Sequence, residues 1–110
     1  MPAVPTVAHP RPSTTAELEV AAELLRALAS PHRLAIVREL DGGARCVHEL
    51  VEALGVSQPL VSQHLRVLRA GHLVRAERRG REIAYSLTDV HVAHIAHDAV
   101  VHATERQPAG

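Results

Sequence analysis

From Ser13 to Ala29, the apolar residues Leu18, Ala21, Ala22, Leu25, Leu28 and Ala29 recur at helical spacing, which predicts a first helix with one face to bury. Ser30-Pro31 then sets a capping hydroxyl before a proline suited to a first helical turn. A second helix is expected from there to about Leu40, and Asp41-Gly42-Gly43 ends it. Cys46 to Leu54 reads as a short third helix with Val47, Leu50, Val51 and Leu54 inward and Gly55 at its C-terminal cap. Ser57 caps a fourth, with Pro59 in its first turn and Leu60, Val61, Leu65 and Leu68 as its buried side. Two short helices joined by Leu54-Gly55-Val56-Ser57 carry the signature of a helix-turn-helix, and the second would be the recognition helix.

After Gly71 the pattern changes. His72 to Ala76 and Ile83 to Leu87 read as two short strands around a charged turn, Glu77 to Glu82, that contains Gly80. Such a hairpin behind a recognition helix predicts the wing of a winged helix. Thr88 to Glu105 then runs without Gly or Pro, and Thr88 or Asp89 can cap its start, so a last amphipathic helix is expected. Val92, Ala96, Ala99, Val100 and Ala103 form its apolar stripe, while His91, His94, Asp98, His102 and Glu105 gather opposite. The expected fold is mainly α with a small β-hairpin, a single domain over residues 13–106 between tails at 1–12 and 107–110.

Composition narrows the picture. With no Phe, no Trp and one Tyr in 110 residues, the core must be Leu, Val, Ile and Ala, which favours helices. One cysteine excludes an internal disulfide, and no apolar run is long enough for a membrane span. The first twelve residues carry four prolines and no hydrophobic stretch, unlike a signal peptide, so a cytoplasmic protein without a membrane partner is expected.

Twelve basic residues, all arginine, are cancelled by twelve acids overall, but not locally. Between Gln58 and Glu82 stand Arg66, Arg69, Arg75, Arg78, Arg79 and Arg81 against Glu77 and Glu82 alone. A recognition helix and a wing that touch phosphate would carry such an excess. Gln58, Ser62, Gln63 and His64, in the early turns of the fourth helix, are placed to reach base edges.

The last helix carries the other candidate chemistry. His91 and His102 are eleven residues apart, so they point the same way but lie about 16 Å apart along the axis and cannot share a metal within one helix. A second copy, antiparallel across a two-fold axis, would set Asp89 and His91 of one chain beside His102 and Glu105 of the other. Two imidazoles and two carboxylates suit tetrahedral zinc or cobalt. The alternative is a solvated polar face on which these histidines fall by chance.

Together these stretches resemble the ArsR/SmtB metal-sensing transcriptional repressors, dimeric winged-helix proteins, over about Leu24 to Glu105. The landmarks are Leu28-Ala29-Ser30-Pro31-His32-Arg33-Leu34, Cys46-Val47-His48-Glu49-Leu50 and Val56 to Leu65. Asp89-x-His91-x10-His102-x2-Glu105 is similar to the zinc site of the family's SmtB-like zinc sensors. The resemblance implies a homodimer that binds double-stranded operator DNA and is released when Zn(II) binds between subunits. It also implies a relay in which the metal-bound His102 hydrogen-bonds the carbonyl of His72. A second metal site from Cys46, Glu49 and His9 of the other chain would follow relatives with two kinds of site. His94 and His97 exceed the four-ligand set and keep a nickel or cobalt sensor as an alternative, beside a metal-independent repressor. An enzyme is not expected, because a four-ligand zinc site leaves no open position and no nucleophile stands with a base.

Overall fold

The computed structural model describes Arg11 and residues 13–106. Apart from Arg11, the tails read at 1–12 and 107–110, with His9, lie outside the described residues. Helix α1 is Thr15–Leu28, and Thr14 caps it: its hydroxyl accepts from the Glu17 N–H while the Glu17 carboxylate accepts from the Thr14 N–H. Arg11 and that N–H hold the Glu17 carboxyl down at about 2. Helix α2, Pro31–Leu40, starts as expected, with the Ser30 hydroxyl accepting from the Arg33 N–H at 3.2 Å. Ser30→Ala should therefore cost about 1 kcal/mol, the usual worth of such a cap, measurable as a lower urea midpoint with an unchanged slope.

Strand β1 (Arg45–Cys46) precedes α3 (Val47–Leu54) and α4 (Gln58–Ala70). Gly55 takes φ 70°, the left-handed conformation that closes a helix, and the Ser57 hydroxyl accepts from the Leu60 N–H to open α4. Strands β2 (Val74–Arg79) and β3 (Glu82–Leu87) follow, then α5 (Val90–Arg106). The sheet is antiparallel in the order β1-β3-β2, with Arg79 opposite Glu82 across a two-residue loop. Gly80 opens that loop at φ 63°, as tight hairpins of right-handed twist require.

The fold departs from expectation in several places. Helix α1 starts at Thr15 rather than Ser13. The sheet has a third strand, β1, which exists only through its pairing with Tyr85 and Ala84. Glu77 to Arg79 and Glu82, read as a charged turn, are paired strand: a wing held out in solvent needs no apolar face, so its backbone ladder extends through charged residues.

One core joins these elements. Ile36, Val37 and Leu40 of α2 pack with Leu50 of α3, Val61, Leu65 and Leu68 of α4, Leu73, Val74, and Val92 and Ala96 of α5. Among the described residues no polar or charged residue is fully buried. Helix α4 ends in a double closure, the Leu73 N–H on the Leu68 carbonyl and the His72 N–H on that of Arg69. It places His72 at φ 60°, where glycine is usual, at a backbone cost on the order of 1 kcal/mol. Thr88 then ties the start of α5 to this corner: its N–H bonds the Leu73 carbonyl at 3.1 Å and its hydroxyl donates to the His72 carbonyl at 2.9 Å.

Helix α5 buries Val92, Ala93 and Ala96, with Ile95 half-buried. Of the expected stripe, Ala99 and Ala103 are exposed and Val100 half-buried.

Candidate DNA interface and metal-ligand face

Capping by Ser57 aims the first turns of α4 outward, and Gln58 and Gln63 are exposed there, with Ser62 half-buried. Arg66 is exposed one turn on, and Arg78, Arg79 and Arg81 are exposed around the wing tip. Arg78 donates to the Gly80 carbonyl at 3.3 Å, which fastens its guanidinium to the loop it flanks. Arg75 instead donates to the Ser86 hydroxyl across the hairpin.

His64 departs from its expected place on the exposed turns. It is half-buried, its Nδ1 lies 3.2 Å from Nη1 of Arg33, and its Nε2 is buried without a hydrogen-bond partner. The reason lies in the period: His64 follows Val61 by three residues and precedes Leu68 by four, both fully buried, so it shares their face. That spacing could have identified it. Neither Arg33 nor His32, whose ring centroid is 5.3 Å from that of His64, stands out as functional in the sequence.

On α5 the four candidate ligands are all exposed, as are His94, His97 and Asp98. Asp89 also caps the helix: Oδ1 accepts from the N–H groups of His91, at 2.9 Å, and Val92, at 3.3 Å. Oδ2 remains for another partner. Among the described residues of one chain, no three His, Cys, Asp or Glu side chains converge to hold a metal. The donor set itself fits a divalent ion of the zinc type: two exposed imidazoles and two exposed carboxylates, one with an oxygen to spare. Within one chain the partner of the His72 carbonyl is Thr88, not His102, which is exposed on the penultimate turn.

Cys46 and Glu49 do meet at the start of α3, where the Glu49 carboxylate accepts from the Cys46 N–H at 2.8 Å. Glu82, reaching over from β3, stands 3.5 Å from Nδ1 of His48. A hydrogen bond to Glu82, then burial and the charges of Glu82 and Glu49, push the Cys46 thiol up, with Arg79 opposing. Without a metal, this setting favours the protonated thiol.

Residues 30–76 match the family described as bacterial regulatory protein, arsR family. The chain is 58% identical over 96 residues to the HTH-type transcriptional repressor SmtB of Mycobacterium tuberculosis, a match spanning 87% of this chain and 71% of that protein. It is 45% identical over 95 residues to the HTH-type transcriptional regulator NmtR of the same organism, over 84% of this chain and 79% of the other. Among solved structures it resembles the homodimeric winged helix-turn-helix DNA-binding domain of a possible ArsR-family regulator from Mycobacterium bovis. That likeness has a TM-score of 0.76 at 30% identity and covers 88% of this chain and 93% of the other.

Proposed function

The chain belongs to the bacterial arsR family of regulatory proteins, and on that premise we propose that it is a cytoplasmic transcriptional repressor, released from operator DNA by Zn(II). Its relatives are repressors rather than enzymes, and no described helix is long and apolar enough to cross a membrane. The observation that carries the metal response is the Thr88–Asp89 junction. Thr88 hangs on the carbonyls of His72 and Leu73, the two residues whose N–H groups close the recognition helix, and the next residue begins the ligand set of α5.

DNA contact falls to Gln58, Ser62 and Gln63 at base edges and to Arg66, Arg78, Arg79 and Arg81 at phosphates. A homodimer supplies the second half-site. Its interface takes up what one chain leaves bare: Leu18, Val20 and Leu25 on α1, 57%, 66% and 54% exposed, with Ala99 and Ala103 on α5. Across that two-fold, Asp89 and His91 of one protomer and His102 and Glu105 of its partner would hold the metal. Zinc, if bound there, would supply a divalent charge to these four groups. Asp89 holds the first turn of α5 through its cap, and Thr88 ties that turn to the end of α4. The carbonyl of His72 has a second lone pair open to a further donor such as the His102 ring. By linkage, zinc that weakens DNA binding must itself be bound more weakly on DNA, by the same factor.

The test is operator affinity against a panel of Zn(II), Co(II), Ni(II), Cd(II) and Cu(I) at fixed salt; a response to nickel alone would assign the site to His94 and His97 as well. Replacing Arg78 and Arg79 by alanine should weaken all sequences alike. The slope of log affinity against log salt should fall by about 0.9 for each phosphate that the variant no longer neutralises.

A further inference from the structure

We propose that His64 is not a base-reading residue but the positioning residue of the recognition helix, a neutral imidazole that joins α4 to the corner between α1 and α2 through Arg33. This deepens the DNA-binding assignment and rests on it. The Arg33 guanidinium spends its donors on three acceptors. Nε donates to the Ala27 carbonyl at 2.6 Å, Nη2 to the Arg26 carbonyl at 3.5 Å, and Nη1 lies 3.2 Å from Nδ1 of His64. The two carbonyls belong to the last turn of α1, where the helix carries partial negative charge, and that of Arg26 also accepts from the Ala29 N–H at 3.1 Å. One cation therefore closes α1 and holds α4.

The protonation state of His64 follows from its partner. A guanidinium has donors only and keeps its proton at any working pH, so Nδ1 must offer a lone pair and the ring proton must sit on Nε2. Nε2 is buried without a partner. A second proton on Nδ1 would set a donor against a donor and strand a charge beside Arg33. Burial first, then the charges of Arg33 and His32, hold the His64 pKa below the ordinary imidazole value. Those two groups, both of α2, are the charged and titratable ones that act on it. Helix α1 meets the pair through the Ala27 and Arg26 carbonyls. The sign follows: unfolded, His64 takes its proton near pH 6.5, whereas folded it resists. The stability of this joint is whole above about pH 6.5 and is lost as pH falls toward the lower, folded pKa.

The experiment uses the full chain with metal chelated, and a duplex the chain itself selects from a random-sequence library. His64→Asn keeps an acceptor at the position of Nδ1 and cannot be protonated; His64→Leu keeps bulk alone. At about pH 7.5 the Asn variant should bind within about threefold of the wild type, with the same base preferences, and the Leu variant about tenfold more weakly. Between about pH 7.5 and 5.5, on either side of the ordinary imidazole pKa, the wild type should lose affinity more steeply than the Asn variant. Long-range nitrogen–proton NMR should find the proton on Nε2 throughout the upper part of that range. An Asn variant with altered base preference, an unchanged pH profile, or a proton on Nδ1 would overturn the proposal. If no duplex is selected, the repressor reading fails, and the NMR titration with thermal unfolding against pH still decides the His64–Arg33 joint.

Discussion

Replacing His102 by alanine is expected to leave a repressor that holds its DNA and no longer lets go when zinc is added. The side chain is exposed on the penultimate turn of α5, and among the described residues it supports no other group. Its loss should therefore move stability by no more than about 0.5 kcal/mol. Affinity for DNA without metal should be unchanged, because the recognition helix and wing are untouched. What disappears is coupling. Effectors of this kind change a partner's affinity by about 5- to 150-fold, and that whole factor should collapse toward one. Fluorescence anisotropy of a labelled duplex, with and without Zn(II) at fixed salt, reads it directly. A variant that loses DNA binding while keeping its metal response would refute the assignment of roles.

The second large effect is structural. Leu65, 1% exposed, lies on the recognition helix between Val61 and Leu68 and faces α2 and α3 across the core. Leu65→Ala should cost about 2–5 kcal/mol, the transfer of the lost carbons plus an incompletely closed cavity. Against a total of about 5–15 kcal/mol for a domain, that leaves a chain close to unfolding at growth temperature. Its loss of DNA binding should track the folded fraction in urea, measured at one protein concentration. Two residues earlier, Gln63→Ala on the exposed side should do the reverse: near-native stability, with about 1–3 kcal/mol of base discrimination removed.

The pair also shows how much is legible in the sequence. The caps at Ser30, Ser57 and Asp89, the helix-turn-helix spacing and the hairpin follow from local chemistry, since capping and periodicity act over a few residues. Strand β1 does not, because two residues become a strand only when Tyr85 and Ala84 arrive beside them. His64 misleads because its polarity points to the exposed side of α4 while its spacing from Val61 and Leu68 points inward, and the spacing wins. Ala99 and Ala103 of the α5 stripe stay bare among the described residues, because periodicity marks a face as apolar without saying what covers it. For the ligand face, helical spacing gathers His91, His102 and Glu105 on one side of α5, together with His94 and Asp98, and the structure adds that they are exposed and that Asp89, just before the helix, caps its start.

That last detail separates the two halves of the proposed site. Asp89 would meet a metal with its rotamer already set by the His91 and Val92 N–H groups, its ordering completed when the chain folded. Glu105, exposed near the end of α5, has no such restraint among the described residues and must give up about 1.5–2 kcal/mol of side-chain freedom when it binds. In the proposed site one carboxylate would therefore be preorganised and the other recruited. Substitutions at the recruited one should tune the metal concentration that produces a response without disturbing the start of α5.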